Sequence, residues 1–352
     1  MIMDNAASDR LRDLIERITG KTKDNITDIH LIPGNPAAIR HDGSREVTLT
    51  EVMDETVISE TFEPLLDEGL KRELAASGSC VFSYTPADGK RYRISVSECI
   101  SGLSVSLHPI PSVIPSAEEL SIPGHILELA KRRSGLILFT GAGGCGKTTL
   151  AASLADHINE TSSRHIIILE ETAEYILNSK RSVIEQRETG RDPKALSFAV
   201  REAETRDADV ILAGSMEDEA VIRACTDAAM SGHLVISTVR SSGAVDTIKK
   251  LIRNVDINDR EYMRECFASV ISCIFSRLIA EGPGGERVFL REIMTADRAI
   301  RNLIKEEKYL QIRSLMQSDK SGGMITFRSE AQRLSGEGKI DPGAVSDIID
   351  NY

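Results

Sequence analysis

The sequence predicts an α/β protein built on a covered parallel sheet and preceded by a small α+β domain. Three observations carry that prediction. Residues 141–148 read Gly-Ala-Gly-Gly-Cys-Gly-Lys-Thr, a complete G-x-x-x-x-G-K-[ST] phosphate loop between an apolar run, Leu136 to Thr140, and a helical run opening at Lys147. Around it, short and fully apolar segments alternate with helix-length stretches, as expected of strands buried on both faces. A seam at His108–Ser116 holds prolines at 109, 111 and 115, each of which fixes φ and removes a donor, so the seam reads as an extended linker.

The expected domains are therefore 1–108 and 117–352, joined by a linker at 109–116. In the first, Leu11, Leu14, Ile15 and Ile18 fall at helical spacing, with Ser8 or Asp9 as cap and Gly20 as stop. Strand-like runs follow at Ile26–Ile32, Ala37–Arg40 and Glu46–Leu49, punctuated by Pro33-Gly34 and Asp42-Gly43. A helical pair covers roughly 51–76, and strand chemistry returns at Cys80–Tyr84, Arg91–Val96 and Leu103–Leu107. In the second domain, strands are expected at Leu136–Phe139, His165–Leu169, Val210–Ala213 and Leu234–Ser237. From about Thr295 the chain reads as helical through Ile300, Leu303, Ile304, Leu310, Leu315 and Met316, with a last helix after Asp341-Pro342.

Composition narrows the function classes. A formal net charge of −11 gives no support to a nucleic-acid partner. Six cysteines without a C-x-x-C pair argue against a zinc ribbon and against a disulfide framework. No stretch approaches the roughly 18 apolar residues of a membrane span, and the start, Met-Ile-Met-Asp-Asn-Ala, has no basic region, so a cytoplasmic location is expected.

The chemistry follows from the phosphate loop. Glycines at 141, 143, 144 and 146 let successive N–H groups converge on a phosphate, and the positive end of the next helix faces the same anion. The nucleotide-binding stretch is thus Gly141, Ala142, Gly143, Gly144, Cys145, Gly146, Lys147, Thr148 and Thr149, with ATP and Mg²⁺ as ligands. Lys147 is assigned to the β/γ-phosphates and Thr148 to the metal. Hydrolysis needs a carboxylate to activate water. Glu170, fixed at the end of Ile-Ile-Ile-Leu, is the candidate, ahead of its neighbour Glu171. Cys145 reads as a small packed residue, the alternative being a thiol acidified by the loop and open to oxidation.

Several segments resemble the type II/IV secretion ATPases. Glu170-Glu171-Thr172-Ala173-Glu174-Tyr175 looks like their acidic box, and Gln186–Asp192 is similar to the segment after it. Asp209–Ala213 resembles the Walker B region, and Ser231–Val235 with Thr238–Ile248 resembles the histidine box. Ala299-Ile300-Arg301-Asn302-Leu303-Ile304-Lys305-Glu306 closely resembles the AIRNLIRE motif of the PilT-type retraction ATPases, and Ile29-His30-Leu31 with Ile39–Gly43 is similar to their SDLHL and IRVDG segments. The resemblance covers nearly the whole chain. It implies a PAS-like domain followed by a RecA-like ATPase domain, a homo-hexameric ring, and an inner-membrane platform protein as partner, with a paralogous ATPase as a further one. It also implies a nucleotide-sensing role for His233 and trans contacts from Arg91 and Arg93 to a neighbouring subunit's phosphate. The missing C-x-x-C pair and the lack of a long N-terminal extension argue against the assembly ATPases of the same superfamily, so a retraction-type member is expected.

Departures from the family pattern carry their own expectations. Ser215 stands where the family has Glu, Glu217 where it has Arg, and Arg240 where it has the second histidine of its box, while two later arginines of the first domain fall on Ser101 and His108. A lost trans cation slows phosphoryl transfer. The expected function is ATP-driven type IV pilus retraction. The alternatives are a weakly hydrolysing accessory ring subunit of the PilU type and a traffic ATPase of a secretion or conjugation system.

Overall fold

The computed structural model describes residues 5–20, 26–41, 47–86, 89–190, 193–319, 323–341, 343 and 345–346. The chain divides into two compact units, Met1–Val113 and Ile114–Tyr352.

The first unit runs α1 (Asn5–Thr19), β1 (Ile26–Leu31), β2 (Pro36–His41), β3 (Val47–Val52), α2 (Glu55–Phe62), α3 (Glu68–Ser77), β4 (Ser79–Tyr84), β5 (Arg91–Cys99) and β6 (Gly102–Ile110). Its strands form one antiparallel sheet ordered β3-β2-β1-β6-β5-β4. Leu11, Leu14 and Ile18 of α1 and Ile58 and Phe62 of α2 pack on Ile29, Leu31, Ile94, Val96, Val105 and Leu107 of the sheet. Alternation along β5 buries Tyr92, Ile94 and Val96 and turns Arg91 and Arg93 to the other face. Gly20 ends α1 at φ 57 with its N–H on the Glu16 carbonyl, the left-handed stop glycine favours.

Three expectations in this unit are corrected. Ser8 and Asp9 lie inside α1, not at its cap. β3 continues to Val52, and the helical region starts only at Glu55, where the Asp54 carboxylate accepts the Thr56 N–H. Pro109 and Ile110 close β6 opposite Tyr92 and Arg91 instead of opening a linker. The register of β1 on β6 stops at Leu107, so Pro109 has only β5 beside it, and an edge tolerates its missing donor. The Asp42-Gly43 turn lies outside the described residues.

The second unit runs α4 (Gly124–Ala130), β7 (Gly135–Gly141), α5 (Lys147–Thr161), β8 (His165–Glu170), β9 (Val183–Glu188), α6 (Pro193–Thr205), β10 (Val210–Ser215), α7 (Glu219–Met230), β11 (Leu234–Val239), α8 (Ala244–Arg253), α9 (Arg260–Val270), β12 (Ile271–Glu281), β13 (Arg287–Thr295), α10 (Arg298–Lys305), α11 (Tyr309–Ser318) and α12 (Phe327–Gly336). Seven strands are ordered β13-β12-β7-β11-β10-β8-β9, all parallel except β13. Alternate strand residues Leu136, Leu138, Ile167, Leu169, Ile211 and Val235 pack with α6 to α11, and α5 packs on β7, β10 and β11. Every residue of β7 is buried, which explains its unbroken apolar sequence.

Strands β9, β12 and β13 are absent from the sequence-based expectation. α9 passes into β12 between Val270 and Ile271 with no turn residue, so nothing punctuates the change of period. The last helix expected after Asp341-Pro342 lies, apart from residues 343 and 345–346, outside the described residues. None of the described helices is long and apolar enough to cross a membrane.

Candidate active site

Parallel strands end on one edge of the sheet, and that edge collects Gly141 from β7, Glu170 from β8, Ser215 from β10 and, just past β11, Arg240. This is where a parallel α/β sheet binds ligands.

The phosphate loop closes between β7 and α5. Gly141 has φ 145, and a Cβ there would stand 2.3 Å from the Arg277 carbonyl oxygen and 2.5 Å from Cys145 Sγ, so only glycine fits. Gly146, at φ 80, precedes Lys147 as the N-cap of α5 and supplies no side-chain cap, which leaves the first N–H groups of the helix for an anion. Lys147 Nζ donates to the Ala142 carbonyl at 2.6 Å and lies 4.0 Å from Cys145 Sγ. Burial lowers its pKa; Cys145 and the carboxylates of Glu217 and Glu174 oppose that, and Arg240 adds to it. Cys145 is buried, and burial raises its thiol pKa against the fields of Lys147 and Arg277, the opposite of an acidified, reactive thiol.

Glu170 is 8 % exposed, and its Oε2 accepts from Gln186 Nε2 at 3.0 Å. The same amide group donates to the Tyr175 carbonyl at 2.6 Å, and the Tyr175 hydroxyl lies 3.2 Å from Thr149 Oγ1. A chain of side chains and backbone therefore ties the carboxylate at the end of β8 to the first turn of α5. The sequence places Tyr175 and Gln186 in family-like segments but assigns neither a role, because their partners are remote in the chain. Glu171 is exposed.

Ser215 ends β10 partly buried. Two residues on, Glu217 Oε1 accepts the Arg240 N–H at 2.8 Å and Oε2 lies 3.3 Å from Lys250 Nζ. Burial raises the Glu217 pKa, but the Arg240 N–H and Lys250 outweigh it, and the carboxyl is held below its usual range. Asp218 caps α7 by accepting the Ala220 N–H and is committed there. Glu217 is thus the carboxylate after β10 that acts on Lys147.

His233 is a correction. It precedes Leu234, which pairs with Gly135 at the start of β7, while the phosphate loop leaves from Gly141 at the other end. Six strand residues span about 20 Å. His233 Nδ1 lies 2.6 Å from the Ala208 carbonyl, and its own carbonyl accepts the Gly135 N–H, so it ties strand starts together at the amino edge. Arg240, after β11, is the residue of that segment at the phosphate edge. The direction of the strand settles this, and counting from the loop would have found it.

Arg91 and Arg93 sit on β5 of the first unit. Arg91 Nη2 donates to Ser83 Oγ at 2.5 Å and Nη1 to Thr85 Oγ1 at 3.4 Å, whereas Arg93 is exposed opposite His108. His108 pairs through Nδ1 with Asp28 at 3.2 Å.

The sheet edge suits Mg²⁺ as well as a nucleotide. Thr148, half-buried in the first turn of α5, offers a hydroxyl oxygen, and no group of three or more His, Cys, Asp or Glu among the described residues forms a metal cage. An ion that keeps waters and takes most of its remaining ligands from phosphates fits that donor set.

Residues 121–283 match the family described as Type II/IV secretion system protein. The YggR protein of Escherichia coli K12 is 32 % identical over 92 % of this chain and 99 % of its own length. The type IV pilus retraction ATPase PilT of Pseudomonas aeruginosa is 30 % identical over 93 % of this chain and 95 % of its own. Among solved structures, the pilus retraction motor PilT with bound ADP superimposes with a TM-score of 0.81 at 32 % identity, covering 95 % of this chain and 96 % of that one. The Legionella pneumophila ATPase DotB, at 22 % identity and a TM-score of 0.80, shares the fold. With its phosphate loop on the carboxyl edge of a RecA-like sheet, the chain belongs to the PilT-type ATPases of the type II/IV secretion superfamily.

Proposed function

We propose that this protein is the ATP-hydrolysing subunit of a hexameric ring that powers type IV pilus retraction. The supporting observation is the intact phosphate loop, with Lys147 held on the Ala142 carbonyl, in a chain that matches a retraction motor along nearly its full length. Lys147 exchanges its bond to the Ala142 carbonyl for the β/γ-phosphates, and Gly141–Thr149 cradle the rest. Thr148 would hold Mg²⁺ through its hydroxyl, and the ion would supply neutralising charge to the phosphates. Glu170, dried by burial and fixed by Gln186, accepts the proton of the attacking water at a carboxylate oxygen. Arg91 and Arg93 supply cations across the subunit interface, and the ring acts on an inner-membrane platform protein.

Two measurements test this reading. The purified protein should hydrolyse ATP with a rate that rises with protein concentration as rings form. Deleting the gene in a piliated host should abolish twitching and leave pili extended. Normal twitching after deletion would refute the retraction role.

Ser215 favours one second reading. With no carboxylate at the end of β10, the chain would bind nucleotide and hydrolyse it weakly as an accessory ring subunit; it is also 26 % identical over 317 residues to the type IV pilus ATPase PilU of Pseudomonas aeruginosa. Ser215→Glu separates the two. A rise in kcat supports a degenerate subunit. A fall, from crowding Glu217 with a like charge, supports a motor that already works.

A further inference from the structure

Arg277 stands beside the phosphate loop on the side away from Glu217. The register of β12 on β7 places it opposite Gly141, and its carbonyl forms the close contact that makes Gly141 obligatory. Its side chain reaches along the loop. Nη1 comes within 3.1 Å of where a Cβ on Gly146 would lie, and the guanidinium carbon sits 4.1 Å from the centre of the Phe289 ring on β13. Stacking on Phe289 fixes the orientation of the plane. Half-buried as it is, Arg277 has no carboxylate and no hydrogen-bond acceptor for its N–H groups among the described residues. Burial accordingly lowers its pKa, opposed by Cys145. A guanidinium that keeps donors uncommitted while losing water is costly unless something anionic completes it. The loop beside it is built to hold an anion.

We propose that Arg277 is a nucleotide-binding residue whose guanidinium, braced on Phe289, donates to the phosphates of the bound nucleotide from the β12 side of the loop. This rests on the phosphate-loop reading of Gly141–Thr149. It adds a cation from the same subunit, in a strand with no part in the loop motif, to a site whose other expected arginines come from a neighbour. Gly146 sits at the loop's second half, where the phosphates common to ATP and ADP bind, so the contact serves both nucleotides. Glutamine at 277 keeps a donor but loses the charge; lysine keeps the charge but loses the planar fork and the stacking on Phe289.

The test is calorimetric titration of ATP, ADP and inorganic tripolyphosphate into the full-length protein, Arg277→Gln and Arg277→Lys, each at low and high salt. Arg277→Gln should weaken all three ligands by about tenfold or more, the scale of a lost charge-assisted hydrogen bond, and should flatten the salt dependence of binding. Arg277→Lys should recover part of the affinity. A residue that merely braced the loop would change the melting temperature without changing the salt dependence. Equal affinities in Arg277→Gln and the parent overturn the proposal. So does a loss for ATP that spares tripolyphosphate, which would move the guanidinium onto the base. If the glutamine variant does not fold, the lysine variant decides: a loss of about threefold or more at an unchanged melting temperature supports the contact, and unchanged affinity overturns it. A parent protein that fails to bind ATP refutes the phosphate-loop reading itself, and that result is visible before any substitution is made.

Discussion

Glu292 on β13 offers the sharpest test of how the site is held in place. Its Oε1 accepts the Ala244 N–H at 2.7 Å, and its carboxylate also takes the Phe327 N–H, so one side chain caps the starts of both α8 and α12. Ala244 is 0 % and Phe327 1 % exposed, which leaves little room for water to replace the acceptor. Glu292→Ala should therefore cost close to the full penalty of two orphaned donors, about 1–3 kcal/mol each and about 2–6 kcal/mol together. For a unit of this size that lowers Tm by on the order of 10 °C. Glu292→Gln retains an acceptor oxygen and should cost less. Burial raises the Glu292 pKa above 4.5, and the two N–H groups and Arg313 only partly oppose it. The folded protein then binds this proton more tightly than the unfolded chain, so stability falls as pH rises from about 4.5 through the raised value. Calorimetric scans across that range should show the fall in the parent and a flatter profile in Glu292→Gln. A Glu292→Ala protein within about 0.5 kcal/mol of the parent, or a glutamine variant with the parent's pH slope, would refute this account of the two caps.

The remaining predictions concern the site itself. Lys147→Ala should bind ATP severely more weakly with the fold intact, and equal affinity by calorimetry would sink the phosphate-loop assignment. Glu170→Gln should bind ATP normally and turn over about 10² to 10⁴ more slowly, with Glu171→Gln doing less; reversed severities in a steady-state assay would shift the acidic box by one residue. Gln186→Leu should lower kcat and leave ATP affinity near the parent value, because it frees the Glu170 carboxylate without touching the loop; a kcat equal to the parent's would show that the bond does not position it. Cys145 should alkylate far more slowly than Cys99, as burial and a raised thiol pKa dictate, and mass spectrometry showing the reverse order would reopen oxidation as a switch.

The parts of this molecule that were legible in the sequence are those whose causes are local. The phosphate loop needs glycines at fixed offsets, and the strands β7, β8, β10 and β11 each carry a continuous apolar run because helices cover both faces. The place of Glu170 at the carboxyl edge was legible because strand and loop order alone fix it. Arg277 and Glu292 were not, since each owes its place to a pairing across many residues, between β12 and β7 and between β13 and two helix starts. The hairpin that carries them lies behind a helix that becomes a strand with no punctuation. His233 shows a different failure. Its family motif was legible, but the motif straddles a strand, and only the residue past the carboxyl end, Arg240, reaches the phosphate edge.

One accessible thiol has a practical consequence. Of the six cysteines only Cys99 is exposed, at the turn between β5 and β6, beside the fully exposed Ile100. The other five are buried. A maleimide dye should therefore mark the native chain at a single position in its first unit, with no cysteine removed. In an assembled ring every subunit would carry one such beacon, and energy transfer between beacons would report how the first units move as nucleotide is added.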